Sequence, residues 1–191
     1  MPDNFSQIEN RESKVLCDTY NRYPLEIERG SGTRLYDGKG NAYLDMLAGI
    51  AVCNLGHCPS EVTKVISEQA DKLIHVSNLF YQTPQLDLAE ELIATCDLDR
   101  VFFCNSGAEA NESAIKLARR YMRQIKNTDA PEIISLQGSF HGRSLATLTA
   151  TGQGKGKEDF APLPAGFKLA APNDISALEQ SFSSQTAAVL L

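Results

Sequence analysis

Residues 101–125 pass from an apolar run into an amphipathic helix through Asn105-Ser106-Gly107, and few backbone arrangements accept that order. Val101-Phe102-Phe103-Cys104 is short, uninterrupted and apolar, which suits a buried strand. From Ala108 the period becomes helical: Ile115, Ala118, Tyr121, Met122 and Ile125 recur on one face, with Arg119, Arg120 and Arg123 on the other. Ser106 and Glu109 have the spacing of a capping box, in which each side chain satisfies an orphan backbone N–H. Gly107 lets the backbone come close to whatever sits above the first turn. A strand that runs through Ser-Gly into a helix N-terminus gathers free N–H groups at one point, and that point attracts anions, above all phosphate. The dipole term is worth roughly 0.3–1 kcal/mol, and about 2 kcal/mol when partly buried. The same residues also suit an ordinary capped helix of an α/β domain. No Gly-Lys-Ser/Thr follows, so this is not a Walker loop, and it is not Gly-x-Gly-x-x-Gly.

The rest of the chain alternates around this run. Residues 1–20 are polar and predict a loose arm or short helix, and Tyr23-Pro24 is extended because proline disfavours helix in the residue before it. Residues 33–37 and 42–45, joined by Gly38-Lys39-Gly40-Asn41, read as a hairpin. Leu47 to Val52 is a small-residue apolar run leading to Asn54-Leu55-Gly56-His57. Ser60 reads as an N-cap, with Val62, Val65, Ile66, Ala70 and Leu73 on one helical face. Pro84 suits a first helical turn, and Leu88, Ala89, Leu92, Ile93 and Cys96 carry the next apolar face. Residues 132–136 are a strand, and with 101–104 and the helix between they predict a parallel, right-handed unit. Gly152, Gly154, Gly156, Pro162, Pro164 and Gly166 mark a mobile connector. A short helix over 174–182 and a strand over 187–191 follow. Such alternation means an open parallel sheet, whose ligands bind beyond the carboxyl ends of the strands. Ser106-Gly107 and the loop after Leu136 both fall there.

That second loop is Gly138-Ser139-Phe140-His141-Gly142-Arg143. Phe140 has the chemistry to stack on a planar ligand, for about 0.5–1.5 kcal/mol beyond area burial. Arg143 suits a carboxylate held bidentately, at roughly 1.5–3 kcal/mol, or a solvated surface charge. His141 fits a packed histidine as well as an acid–base group.

A net charge of −6 leaves no basic face for nucleic acid or an anionic membrane. No apolar run approaches the roughly 18 residues that span a bilayer. The start, Met1-Pro2-Asp3-Asn4-Phe5-Ser6, has neither a signal peptide's apolar region nor the Arg-rich character of a transit peptide, so a cytoplasmic address is expected. Cys17, Cys53, Cys58, Cys96 and Cys104 form no Cys-x-x-Cys pair. Cys53, His57 and Cys58 match no zinc spacing, so no metal is expected and the thiols should be reduced and mostly buried.

Asn105-Ser-Gly-Ala-Glu-Ala-Asn-Glu112 followed by Phe140-His-Gly-Arg143 resembles the class III aminotransferases, pyridoxal-phosphate enzymes of fold type I. Tyr23-Pro-Leu25, Leu35-Tyr-Asp-Gly-Lys-Gly40 and Leu47-Ala-Gly-Ile-Ala-Val52 are similar to the acetylornithine aminotransferase branch. The resemblance runs from about Tyr20 to Leu191. It implies an α/β, three-layer fold with helices on both faces of the sheet. Residues 1–70 would be the N-terminal segment of a small α+β domain, and 71–191 the first part of the large cofactor-binding domain, truncated at its C-terminus.

By the same resemblance Ser106, Gly107 and Ala108 would hold the phosphate of pyridoxal 5'-phosphate, with Phe140 against its ring and His141 beside Phe140. Arg143 would take the substrate α-carboxylate, and Tyr23 and Ile50 would line the substrate entrance. Ser77-Asn78 would lie near the subunit boundary of a homodimer. The family's Gly-His-x-His-Pro is here Gly56-His57-Cys58-Pro59-Ser60, so that turn is expected to differ locally. Family members are much longer, and the lysine that forms the Schiff base and the aspartate that pairs with the pyridinium nitrogen match no position of this chain. Lys116 lies on a solvated helix face and Lys155 and Lys157 in the connector, so no catalytic residue is assigned. The implied reaction is ping-pong transfer of the δ-amino group of N-acetylornithine to 2-oxoglutarate, in arginine biosynthesis. Ornithine, 4-aminobutyrate and succinyl-diaminopimelate aminotransferases share much of the motif set, and a non-catalytic fragment with a vestigial cup is the alternative of another class.

Overall fold

The computed structural model describes residues 4–154 and 156–191; Met1, Pro2, Asp3 and Lys155 lie outside the described residues. The chain divides into two compact units, one running to Tyr81 and the other Gln82–Leu191.

The first unit opens with helix α1 (Asn4–Val15) and then forms an antiparallel sheet of β1 (Arg29–Ser31), β2 (Arg34–Tyr36) and β3 (Ala42–Leu44), in that order. The expected hairpin is β2–β3, with Leu35 opposite Tyr43. The added strand β1 pairs Gly30 with Leu35. Asp37 closes the glycine-rich turn by accepting the amides of Lys39 at 3.0 Å and Asn41 at 2.8 Å, the Asn41 carboxamide at 2.8 Å and the Tyr43 hydroxyl at 3.0 Å. These donors, the Asn41 side chain foremost, hold its carboxyl below the usual carboxylate range.

The apolar run after β3 bends into a single turn, α2 (Ala48–Ala51), whose backbone is left-handed throughout: φ is 49° at Ala48, 64° at Gly49, 58° at Ile50 and 62° at Ala51. Helix α3 (Ser60–Lys72) follows, with Pro59 rather than Ser60 at its N-cap. Ser60 is instead the first helical residue, and its hydroxyl donates to the Glu61 carboxylate at 2.9 Å. The apolar face expected on α3 exists, but Val62, Val65 and Ile66 are exposed and the helix buries no residue.

The second unit begins with α4 (Thr83–Ile93), with Pro84 in its first turn as expected. Leu88 and Leu92 of its apolar face are exposed, and Cys96 lies beyond its end. The long helix α5 (Gly107–Ile125) leads into β4 (Glu132–Leu136), α6 (Leu145–Ala150), β5 (Phe167–Ala170), α7 (Ile175–Ser181) and β6 (Thr186–Leu190). The sheet order is β5-β4-β6 with both pairings parallel, so the open parallel sheet is present and β4 is its centre. Residues 101–104 correct the sequence reading: they pair with no strand, and Phe102 is 69% exposed. The neighbours of β4 are β5 and β6, so the expected strand–helix–strand unit over 101–136 is not formed among the described residues.

The core is small and sits where α5 and α6 meet the sheet: Ile115, Met122, Ile133, Ile134, Ala150 and Ala170, with Ser135, His141, Thr147 and Thr151 buried among them. Two of the three arginines on the polar face of α5 tie loops down. Arg119 donates to the Ala165 carbonyl at 2.5 Å and lies over the Phe167 ring, 5.0 Å from its centroid. Arg123 donates to the Asp129 carbonyl at 2.6 Å. Their guanidinium forks satisfy loop carbonyls that would otherwise lack donors. Among the described residues no helix is long and apolar enough to cross a membrane.

Candidate functional site

Ser106 is the N-cap of α5, in extended conformation, and its Oγ accepts the Glu109 amide at 3.2 Å. The Glu109 carboxylate reaches back to the Asn105 amide at 2.6 Å. The box therefore closes on the residue before the cap, where the spacing rule places it on the cap itself. The amides of Gly107 and Ala108 donate to no described protein group. Ser106 and Gly107 are exposed, and a Cβ built on Gly107 would meet nothing within 4 Å. Two unspent amides, a free-facing hydroxyl and open space at a helix N-terminus fit an anion of phosphate size.

The loop after β4 sorts its side chains by direction. Phe140 is 58% exposed and Arg143 is exposed, whereas His141 is 5% exposed and Gly142 is buried. The His141 amide donates to Thr151 Oγ1 at 3.0 Å, and its carbonyl accepts from Asn111 Nδ2 of α5 at 2.8 Å. His141 Nε2 is buried without a partner among the described atoms, and burial pushes the imidazole below its ordinary value. His141 is thus a neutral, inward-facing group.

Gly142 brings the loop against α5. At φ 136° it takes a conformation that favours glycine, and a Cβ there would lie 2.6 Å from Thr147 Oγ1 and 2.9 Å from Ala108 Cβ. Ala108 and Gly142 are therefore in contact, and the structure brings the Ser106-Gly107-Ala108 turn and the Phe140–Arg143 loop together. Glu112 of α5 accepts the Ser144 hydroxyl at 2.5 Å and the amides of Ala146 and Thr147, both at 3.2 Å. Ser144, the N-cap of α6, makes no side-chain cap bond of its own, so Glu112 caps α6 from a neighbouring helix.

The connector is anchored at its start. A Cβ at Gly152 would fall 2.0 Å from the Leu136 carbonyl, so only glycine fits. Gly138 and Gly152 are bonded amide to carbonyl at 3.1 Å, and the Gly152 amide donates to the Ser139 carbonyl at 2.9 Å. Lys157 does not hang in a mobile loop: its ammonium donates to the Thr149 carbonyl at 3.1 Å and to that of Thr151, at the end of α6. Lys155 lies outside the described residues.

Tyr23 and Ile50 belong to the unit that ends at Tyr81 and are 81% and 89% exposed. Ile50 rides on the left-handed turn α2. The cysteines are free, with Cys53 half-buried and Cys17, Cys58, Cys96 and Cys104 exposed, so the expectation of mostly buried thiols fails. Among the described residues no group of three acidic, histidine or cysteine side chains could hold a metal ion. Sequence reasoning assigned no role to Asn111, Glu112, Thr147 and Thr151, although these residues fasten the loop. The density of hydroxyls over 144–151 was the available signal.

The sequence matches the family model Aminotransferase class-III over residues 17–191. A curated acetylornithine aminotransferase of Methanocaldococcus jannaschii is 48% identical over 180 residues, which cover 94% of this chain and 45% of that protein. One of Nostoc sp. is 51% identical over 168 residues, 88% of this chain and 39% of that protein. The chain thus spans less than half the length of these relatives. A solved ornithine aminotransferase of Toxoplasma gondii, with partial occupancy of pyridoxal phosphate at its active site, superposes with a TM-score of 0.94 at 28% identity, covering 98% of this chain and 45% of that one.

Proposed function

The chain belongs to the class-III aminotransferases, and we propose that it supplies the cofactor-phosphate cup and a substrate-carboxylate arginine of an enzyme moving the δ-amino group of N-acetylornithine to 2-oxoglutarate. Identity of 48% and 51% to acetylornithine aminotransferases supports that donor over ornithine. Arginine biosynthesis is the corresponding setting, in the cytoplasm, with the enzyme acting as a homodimer on small molecules and using neither nucleic acid nor membrane.

Pyridoxal 5'-phosphate, when bound, supplies the electron sink that amino-group transfer needs. The amides of Gly107 and Ala108 and the Ser106 hydroxyl donate to its phosphate. Phe140, exposed on the loop whose Gly142 meets Ala108, would cover the ring by stacking. His141 packs inward, and burial holds its imidazole below the ordinary value, so the loop presents Phe140 and Arg143 outward without it. Arg143 orients the substrate by its α-carboxylate. Lys116 is exposed and Lys157 caps α6, so proton transfer is assigned to neither. The covalent lysine and the pyridinium aspartate are assigned to sequence outside the span matched here.

One observation carries this reading: Ala108 of the anion cup and Gly142 of the aromatic–arginine loop are in contact. The test is Arg143→Ala in the holoenzyme that contains this chain. KM for both carboxylate substrates should rise about tenfold or more, with cofactor absorbance kept. Unchanged KM values remove Arg143 from the site.

A further inference from the structure

We infer that Asn111 and Glu112 are positioning residues that lock the Phe140–Arg143 loop onto α5 and so set the offset between the anion cup and the carboxylate-binding arginine. This rests on the reading of Arg143 given above, and adds to it two residues that meet neither cofactor nor substrate.

The geometry is a clamp with two jaws on adjacent residues of one helix. Asn111 holds the start of the segment through the His141 carbonyl, at 2.8 Å. Glu112 holds its end through the Ser144 hydroxyl and the Ala146 and Thr147 amides. Gly142 and Arg143 lie between the two grips. Asn111 and Glu112 are only one helical turn from Ala108, so the grip and the cup share the same rigid stretch of helix.

Each jaw uses chemistry its neighbours need. The Asn111 amide nitrogen is a donor only, and the His141 carbonyl is an acceptor only, so the contact has one sense. A carboxylate at the N-terminus of α6 satisfies two amides that no cap side chain on α6 reaches, and it matches the helix dipole. With the backbone bound on both sides, the loop side chains divide. His141 packs inward while Phe140 and Arg143 face out. Loss of either jaw lets the peptide between rotate, and Arg143 leaves its line to the substrate before the phosphate cup is touched.

The test uses the holoenzyme that contains this chain, with Glu112→Ala, Glu112→Gln, Asn111→Ala, Asn111→Asp and Arg143→Ala. Glutarate, a dicarboxylate that cannot react, is titrated against the spectrum of the bound cofactor, and amide hydrogen exchange is followed over 140–148. Glu112→Ala and Asn111→Asp should each weaken glutarate about tenfold and speed exchange at Ala146 and Thr147 or across 141–143 respectively. Cofactor content and affinity should stay within about twofold, and Glu112→Gln, which keeps an accepting oxygen, should recover most of the loss. Asn111→Ala replaces the other jaw with a smaller group, so the proposal stays testable if one variant fails to fold. Unchanged exchange in the Glu112 and Asn111 variants overturns the clamp. Faster exchange with normal glutarate binding, while Arg143→Ala weakens it, overturns the positioning role alone. Glutarate binding that survives Arg143→Ala refutes the arginine assignment itself, and the clamp's role with it.

Discussion

His57 Nε2 lies 2.7 Å from Asp45 Oδ2, while the other oxygen of Asp45 accepts the Leu47 amide at 2.8 Å and the Ala48 amide at 3.0 Å. The Asp45 side chain is 7% exposed, and the His57 bond above all holds its carboxyl below the usual range. One carboxylate thus joins the end of β3, the turn at His57 and the entry to the left-handed turn α2. Non-glycine residues in that hand cost roughly 1–2 kcal/mol each, so Ala48, Ile50 and Ala51 persist only while neighbours over-determine them.

Asp45→Ala should therefore release α2. Hydrogen exchange at residues 47–53 is expected to rise about tenfold or more in the holoenzyme, with the amides of Gly107 and Ala108 unaffected. Unchanged exchange at Leu47 and Ala48 would show that the turn holds without the carboxylate.

Gly142→Ala should be among the most damaging single-methyl changes in the second unit. The new Cβ would collide with Thr147 Oγ1 at 2.6 Å and Ala108 Cβ at 2.9 Å, at a φ of 136°. A loss of about 1–3 kcal/mol is expected from strain and overpacking together. Denaturant midpoints measure it, and an unchanged midpoint would mean the loop has slack.

Gly107→Val separates the anion space from the fold. A Cβ at Gly107 meets nothing within 4 Å, so the branch point of the larger side chain enters open space. Thermal stability should change little while cofactor absorbance and retention on dialysis fall. Full retention by a normally folded variant would empty the cup of its assigned role.

Acid should weaken the end of the parallel sheet through Glu132. Lys168, at 2.7 Å, and the Ser183 hydroxyl hold its carboxyl below the ordinary value. A depressed folded pKa stabilises above the unfolded value and is lost as pH falls through the folded one. Lys168→Met should flatten this acid-side loss by lowering stability modestly at pH 7 and above, where the pair contributes, and by changing it little at low pH, where Glu132 is protonated. Parallel pH–stability curves for the two proteins would contradict it.

Local rules were legible where the signal was local. The Ser-x-x-Glu spacing, the start of α5 and the Glu132–Leu136 strand all stood in adjacent residues, whose period and cap chemistry need no tertiary partner. The 101–104 run misled because apolar content announces that a segment can be buried, not what lies beside it. Strand β5 was hidden in a glycine- and proline-rich stretch, where Phe167-Lys168-Leu169-Ala170 is too short to declare a period. Two clusters of the candidate site could be seen as motifs, but their contact could not. It depends on Gly142 against Ala108 and on bonds across 30 or more residues, from Asn111 to His141 and from Glu112 to Ser144.

The first two turns of α5 act as a ruler. Behind the Ser106 cap, Ala108, Asn111 and Glu112 sit on one hydrogen-bonded cylinder, whose rise of about 1.5 Å per residue is set by peptide geometry and not by the packing around it. Thermal breathing of the sheet, or drift in sequence elsewhere in the unit, would carry both halves of the pocket along as one body. Selectivity for ligand length would then change through insertions or a kink within these turns, and hardly at all through substitutions on the strands beneath.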